Sequence, residues 1–177
     1  MESEITKIYE DKEFISIIND IINNETVQKM KDFRQHYNVS CFEHCLCVSY
    51  YSYLICKKLH LDYKSVARAG MLHDLFLYDW RKKVDGRKGL HAFTHPKTAL
   101  ENSLKLFDLN NKEKDIILKH MWPVTIIPPK YLEGFVITFV DKHCAMSETF
   151  NSFAQICSKK TVFRYAYVFL CLLFIRF

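Results

Sequence analysis

His73 and Asp74 stand side by side at the end of the apolar run Ala69-Gly70-Met71-Leu72. A buried Asp without a partner is costly, so its carboxylate wants a cation. Imidazole and carboxylate together make a mixed N/O donor set for a divalent metal. The dipeptide alone is weak evidence, because a core histidine beside a helix-end aspartate is the commoner meaning.

The spacing of the other ionisable residues changes that balance. His44 lies 29 residues before His73, and His95 lies 21 residues after Asp74. His120 follows after 25 more, and Asp141 after a further 21, inside the apolar run Phe135 to Val140. The ordered pattern H…HD…H…H…D is far more specific than any of its parts.

These six residues need helices to hold them. Apolar spacing over Phe14 to Ile22 predicts a first helix, and a second is predicted over Glu25 to His36. Ser40-Cys41-Phe42-Glu43 fits a capping box, opening a helix to about Leu59 that carries His44 in its first turn. Asp62 is the N-cap expected for the helix that ends near His73. The helical pattern then breaks from Leu77 to Thr94. Pro96 fits the first position of a new helix, which puts His95 at its cap. Asn110 or Asn111 caps the helix that carries Ile116, Ile117 and His120 and stops before Pro123. Pro128-Pro129 marks a loop, and Tyr131 to Phe150 is helical and contains Asp141. Only 4 Gly and 4 Pro in 177 residues also argue against a turn-rich β fold. The expected fold class is all-α: one helical domain over 40–150, N-terminal helices over 1–39 packed on it, and an apolar C-terminal helix over 151–177.

At these residues the sequence resembles the HD-domain metal-dependent phosphohydrolases. The resemblance rests on His44, His73-Asp74, His95 in Thr94-His95-Pro96, His120, and Asp141 in Val140-Asp141-Lys142, and it covers about residues 40 to 150. The two extra histidines match the two-metal branch. The glycine-tyrosine-proline extension of the cyclic-di-GMP branch is absent, since Met121-Trp122-Pro123 follows His120.

The resemblance implies a role for each position. His44, His73, Asp74 and Asp141 would hold a first metal; Asp74 would bridge to a second, completed by His95 and His120. A metal-bridging hydroxide would then attack phosphorus in a phosphomonoester or phosphodiester, nucleotide-like in kind, with His73 and Asp74 at the centre of the chemistry. Two cations about 3.5–4 Å apart clamp the attacking and leaving oxygens of such a displacement. N/O donors without thiolate suit iron or manganese first, with magnesium, nickel or zinc as alternatives. Two other readings of the same ligand set stand beside the hydrolase: a catalytically weak metal-bound sensor module, and a diiron oxygenase.

Around these ligands lie candidate substrate contacts. His91 is the competitor to His95, and it lacks a following Pro; it is read as a substrate contact. The run Arg81-Lys82-Lys83-Val84-Asp85-Gly86-Arg87-Lys88 sums to +4, most of the chain's net +5. It lies between Asp74 and His95, so Arg81, Lys82 and Arg87 are candidate phosphate ligands, Arg in particular for bidentate contact. Lys142, next to Asp141, is another. His143, two residues from Asp141, is about 200° away around the helix and should face away from the metals. Trp80 and Trp122 are candidates for base stacking, although core or lid packing is the plainer role.

Composition bounds the rest. Hydrophobic residues at 49% and charged residues at 25% exclude wholesale disorder. A net charge of +5 suits a small phosphorylated substrate and is a poor argument for a nucleic-acid polymer. Seven Cys without a C-x-x-C pair make a poor disulfide framework, so buried thiols in a reducing compartment are expected. No secretory signal is visible at Met1-Glu2-Ser3-Glu4, and a cytoplasmic protein is expected. The uncharged run between Arg164 and Arg176 is 11 residues, against about 20 for a membrane span. The apolar stretch Phe163 to Phe177 is therefore read as a docked helix or a homodimer contact, with a peripheral membrane contact as the alternative.

Overall fold

Phe14, Ile18, Ile21 and Ile22 recur at the period of one helix face, and they are the buried stripe of α2 (Lys12–Ile22). Asp11 starts that helix, its side chain accepting from the Phe14 amide at 3.0 Å. The computed structural model describes residues 2–36, 39–82 and 89–159. Ahead of α2 comes α1 (Glu2–Glu10), which the sequence pattern does not announce. After it come α3 (Glu25–Gln28), a 3-10 turn over Lys29–Asp32, and a small antiparallel ribbon of β1 (Arg34–His36) and β2 (Val39–Ser40). The helix expected over Glu25 to His36 thus stops after one turn. Phe33 takes up extended backbone (φ −107°, ψ 127°), and the chain turns back as a hairpin.

The helices that carry the ligands start largely where their caps say. Ser40 and Glu43 form the capping box of α4 (Cys41–Lys58). Asp62 caps α5 (Tyr63–Leu72) by accepting from the Ser65 amide at 3.1 Å, and His73 is its C-cap. Asn110 and Glu113 form a second capping box at α7 (Asn111–Lys119), whose C-cap is His120. The last described helix is α8 (Leu132–Lys159), which runs on past the expected end at Phe150. Residues 160–177 lie outside the described residues, and with them the apolar stretch Phe163 to Phe177 and the dimer contact expected of it.

One boundary needs correction. Helix α6 (His91–Leu106) begins at His91, with Leu90 as N-cap, so Pro96 is its sixth residue and His95 is not a cap. The proline removes one bond only, the one its missing N–H would give to the Ala92 carbonyl. His95 is accordingly buried in the second turn, 4% exposed, and not a solvent-facing cap residue.

Helix α4 is buried on nearly every side and packs on α5 and α8; α7 packs on α5 and α6. Contact between α4 and α5 is so close that a Cβ on Gly70 would lie 2.7 Å from the Ser49 Cα, a separation that only glycine permits. Ser49 Oγ donates to the Ala67 carbonyl across the same crossing (2.6 Å). The described chain is thus mostly helical, and none of its helices is long and apolar enough to cross a membrane. Cys41, Cys45, Cys47, Cys56 and Cys144 are buried and free of disulfides.

Candidate metal centre

The chain direction of these helices brings different ends together. The first turn of α4 supplies His44, the C-terminal end of α5 supplies His73 and Asp74, and the end of α7 supplies His120. The second turn of α6 brings His95, and the third turn of α8 brings Asp141. Ring centroids of His44 and His73 are 5.6 Å apart, those of His73 and His120 4.9 Å, and those of His95 and His120 5.0 Å. His44, His73, Asp74, His95 and His120 are buried, and the Asp141 side chain is 14% exposed.

Each imidazole is oriented the same way. His73 Nδ1 donates to the Gly70 carbonyl (2.8 Å), His95 Nδ1 to the His91 carbonyl (2.8 Å), and His120 Nδ1 to the Ile117 carbonyl (2.9 Å). His44 Nδ1 faces a carboxylate, Glu148 Oε1, at 2.9 Å. A carbonyl or carboxylate at Nδ1 fixes the tautomer and leaves Nε2 as the donor atom for a metal. All four Nε2 atoms point inward. His44 Nε2 is 3.0 Å from Asp141 Oδ1, and His73 Nε2 is 3.6 Å from it. Asp74 divides its oxygens: Oδ2 is 3.6 Å from His73 Nε2, while Oδ1 is 3.2 Å from His95 Nε2 and 3.6 Å from His120 Nε2.

Two overlapping triads result, His44 with His73 and Asp141, and His73 with Asp74 and His120; in each the donor atoms lie within 4.8 Å of one another. His95 joins the second through Asp74 and through His120, whose Nε2 is 2.9 Å away. His73 Nε2 and Asp74 Oδ1 are buried and make no hydrogen bond. Buried polar atoms almost always find a partner, so two orphans at the centre of the cluster fit a divalent cation.

Electrostatics agree with the geometry. Burial opposes charge on His44, but hydrogen bonds to Asp141 and Glu148 outweigh it and lift its pKa well above the ordinary value. His73 is raised in the same way against burial, with Asp74 as the main attraction. Burial would raise the Asp74 carboxyl; the surrounding imidazoles, His73 first, hold it well below the usual carboxylate range instead. Asp141 is held low likewise, against burial, by His44 and His73. Burial, with the neighbouring His73 charge, pushes His120 down to about 3.

A cavity of about 250 Å³ opens onto this cluster; Asp74, His95, His120 and Asp141 line it, and so do Gln35, Trp80, His91 and Lys142. Lys142 Nζ points to the carbonyls of Thr138 (3.3 Å) and His120 (3.4 Å), and burial lowers its pKa against the pull of Asp141. His91 stacks between Trp80 (5.5 Å, 14°) and His95 (4.5 Å, 25°), so one face of Trp80 is taken. Trp122 lies edge-on to Phe135 and outside the lining. Arg81 grips Asp79 through Nε (2.9 Å) and Nη2 (3.2 Å), and Lys82 is 3.8 Å from the same carboxylate; neither lines the cavity. Arg87 lies outside the described residues. His143 lines a different cavity, of about 390 Å³, with Glu4, Cys47 and Tyr51.

Two residues here escape sequence reasoning. Glu148 lies seven residues past Asp141, on the same helix face, and only that spacing could have pointed to it. Gln35 reaches Asp74 from the hairpin, and nothing in the sequence marks it. Compared with family models, curated proteins and solved structures, the chain matches none.

Proposed function

We propose that the chain is a metal-dependent phosphohydrolase of the HD-domain type, acting on a small phosphate ester, nucleotides among them. One observation carries this reading: four buried imidazoles, each fixed at Nδ1, direct Nε2 toward two carboxylates, and His73 Nε2 and Asp74 Oδ1 among them make no hydrogen bond. His44, His73, Asp74 and Asp141 would hold one divalent ion, and Asp74, His95 and His120 a second, iron or manganese by donor type. When bound, the pair supplies Lewis-acid activation of water and of the phosphoryl oxygens.

The protein's own groups do the rest. Asp74 and Asp141 offset about half of the four positive charges of two divalent ions, which leaves an attraction for a phosphate anion. Carbonyls of Gly70, His91 and Ile117 hold three imidazoles so that no reorganisation is needed when a cation enters. Lys142 and His91 sit on the cavity wall, where an ammonium and an imidazole can meet phosphoryl oxygens. The cavity takes a phosphoryl group and a compact alcohol portion.

The test is hydrolysis of nitrophenyl phosphate mono- and diesters by protein loaded with Mn²⁺ or Fe²⁺, followed by a nucleotide screen. Turnover that disappears in Asp74→Ala supports the reading. Turnover that survives unchanged in both His73→Ala and Asp74→Ala assigns the activity elsewhere.

A further inference from the structure

Gln35, on β1, reaches the cluster from outside the helices. Its Nε2 donates to Asp74 Oδ2 at 2.5 Å, across 39 residues of sequence. A carboxylate oxygen accepts, so the amide presents its N–H to it; the reverse orientation would set two acceptors against each other. The orientation of the amide is therefore fixed by its partner. It leaves Gln35 Oε1 buried without a hydrogen-bond partner, in a residue that lines the cavity. Buried amide oxygens almost always meet a donor, and here the described residues supply none.

We infer that Gln35 is a positioning residue with two functions: its N–H sets the rotamer of Asp74, and its carbonyl accepts an O–H of the water that attacks phosphorus. The inference rests on the phosphohydrolase reading above. A water fits the place better than a substrate group does, because the orphaned oxygen is buried beside the Asp74 carboxylate. In the step, a lone pair of the water oxygen forms the new P–O bond. The ester P–O bond breaks with its electron pair going to the leaving alcohol oxygen. One water proton passes to that oxygen by way of solvent, and the other stays on the phosphate product. The amide is too weak a base to take a proton; it aims the water, as a glutamine carbonyl does in other phosphoryl transfers.

The test uses the full chain with Gln35→Met, close in length but without amide hydrogen bonds, and Gln35→Ala as a second variant. Both are melted first, to show that the helical core stays folded once the contact with Asp74 is removed. Calorimetry with Mn²⁺ alone reads the Asp74 function: affinity should fall by about 10–100-fold. Steady-state kinetics on a nitrophenyl phosphate ester at saturating Mn²⁺ reads the water function. There kcat should still be about 10–100-fold down, with KM within about threefold. A raised KM with unchanged kcat would mean that Gln35 reads substrate, and overturns the inference. So does a wild-type Mn²⁺ affinity in both variants, or a wild-type kcat at saturating Mn²⁺. Wild-type protein that binds no Mn²⁺ overturns this inference and the phosphohydrolase reading together. Wild-type protein that binds and turns over, beside variants indistinguishable from it, overturns this inference alone.

Discussion

The two ends of the helix bundle both bury charged groups, and they treat them in opposite ways. At the end where α5, α7 and α8 begin, Lys112 Nζ lies 2.7 Å from Glu133 Oε1 and 3.2 Å from Asp62 Oδ2. Glu133 Oε1 also accepts from the Asp62 amide (3.0 Å), and Asn110 donates to Ser65 Oγ (2.9 Å). Each carboxylate there also sits near a helix N-terminus, where a negative charge is favoured. That end closes on itself with groups the chain supplies. At the other end, where α5 and α7 stop, His73 Nε2, Asp74 Oδ1 and Gln35 Oε1 are left without hydrogen bonds. Backbone carbonyls at the ends of two helices face the same place, which favours positive charge. The difference separates a closed network from an open one: the first pairs its charged groups with one another, and the second leaves three buried polar atoms without hydrogen bonds.

The largest expected effect breaks the second end. Asp74→Ala removes the carboxylate that faces His73, His95 and His120 together; metal content should fall below that of wild type by elemental analysis, and activity by roughly 10²–10³-fold in steady-state kinetics. A variant that keeps both its metal and its turnover would erase the distinction between the two ends.

The complementary change targets the closed end. Lys112→Met leaves Asp62 and Glu133 unpaired, one half-exposed and one buried, and should cost about 1–3 kcal/mol of stability in denaturant melts. Metal content should not move. Loss of metal in this variant would mean that the two ends are not independent.

Between the ends lies the α4–α5 crossing. Gly70→Ala pushes a methyl against the Ser49 backbone and should cost about 1–3 kcal/mol, with weaker Mn²⁺ binding because the Gly70 carbonyl holds His73. Unchanged melting would show that the helices can separate at no cost.

pH sharpens the contrast. In the metal-free chain the folded-state pKa of His44 is raised above 6.5 by Asp141 and Glu148. Such a group contributes stability that is fully present below its unfolded pKa and is lost as pH rises through the folded one. Melting temperature of the metal-free chain should therefore decline as pH is taken upward from 6.5. A bound cation replaces that proton, so the loaded chain should lack the decline, and Mn²⁺ affinity should weaken as pH falls. Melts of both forms across the neutral to alkaline range check the sign.

The smallest effect is expected at Arg81. It is exposed and engaged by Asp79, so Arg81→Ala should leave KM within about twofold and stability within about 0.5 kcal/mol. A large rise in KM would bring the basic loop back into the site.

These particulars show what a sequence can and cannot disclose. His44, His73, Asp74, His95, His120 and Asp141 were legible because type, order and helix caps are local properties, and the structure brings the six side chains together. The boundary at His95 was not, since a proline can sit inside a helix if one carbonyl, here that of Ala92, goes without its amide. The hairpin at Arg34–Ser40 was missed because strands of two and three residues carry no periodicity to read. Gln35 and Glu148 meet their partners 39 and 104 residues away in sequence, and the one local signal is the place of Glu148 seven residues past Asp141. Arg81 and Lys82 lie near the site in sequence, and in the structure both pair with the Asp79 carboxylate.

Elemental analysis of protein purified without chelator, expressed as metal atoms per chain, goes straight to the incomplete end of the bundle. Close to two atoms of iron or manganese per chain, falling in Asp74→Ala, is the predicted result. No bound metal, even after anaerobic reconstitution with iron and manganese, would contradict the reading and leave the orphaned atoms of His73 and Asp74 as a cost without a purpose.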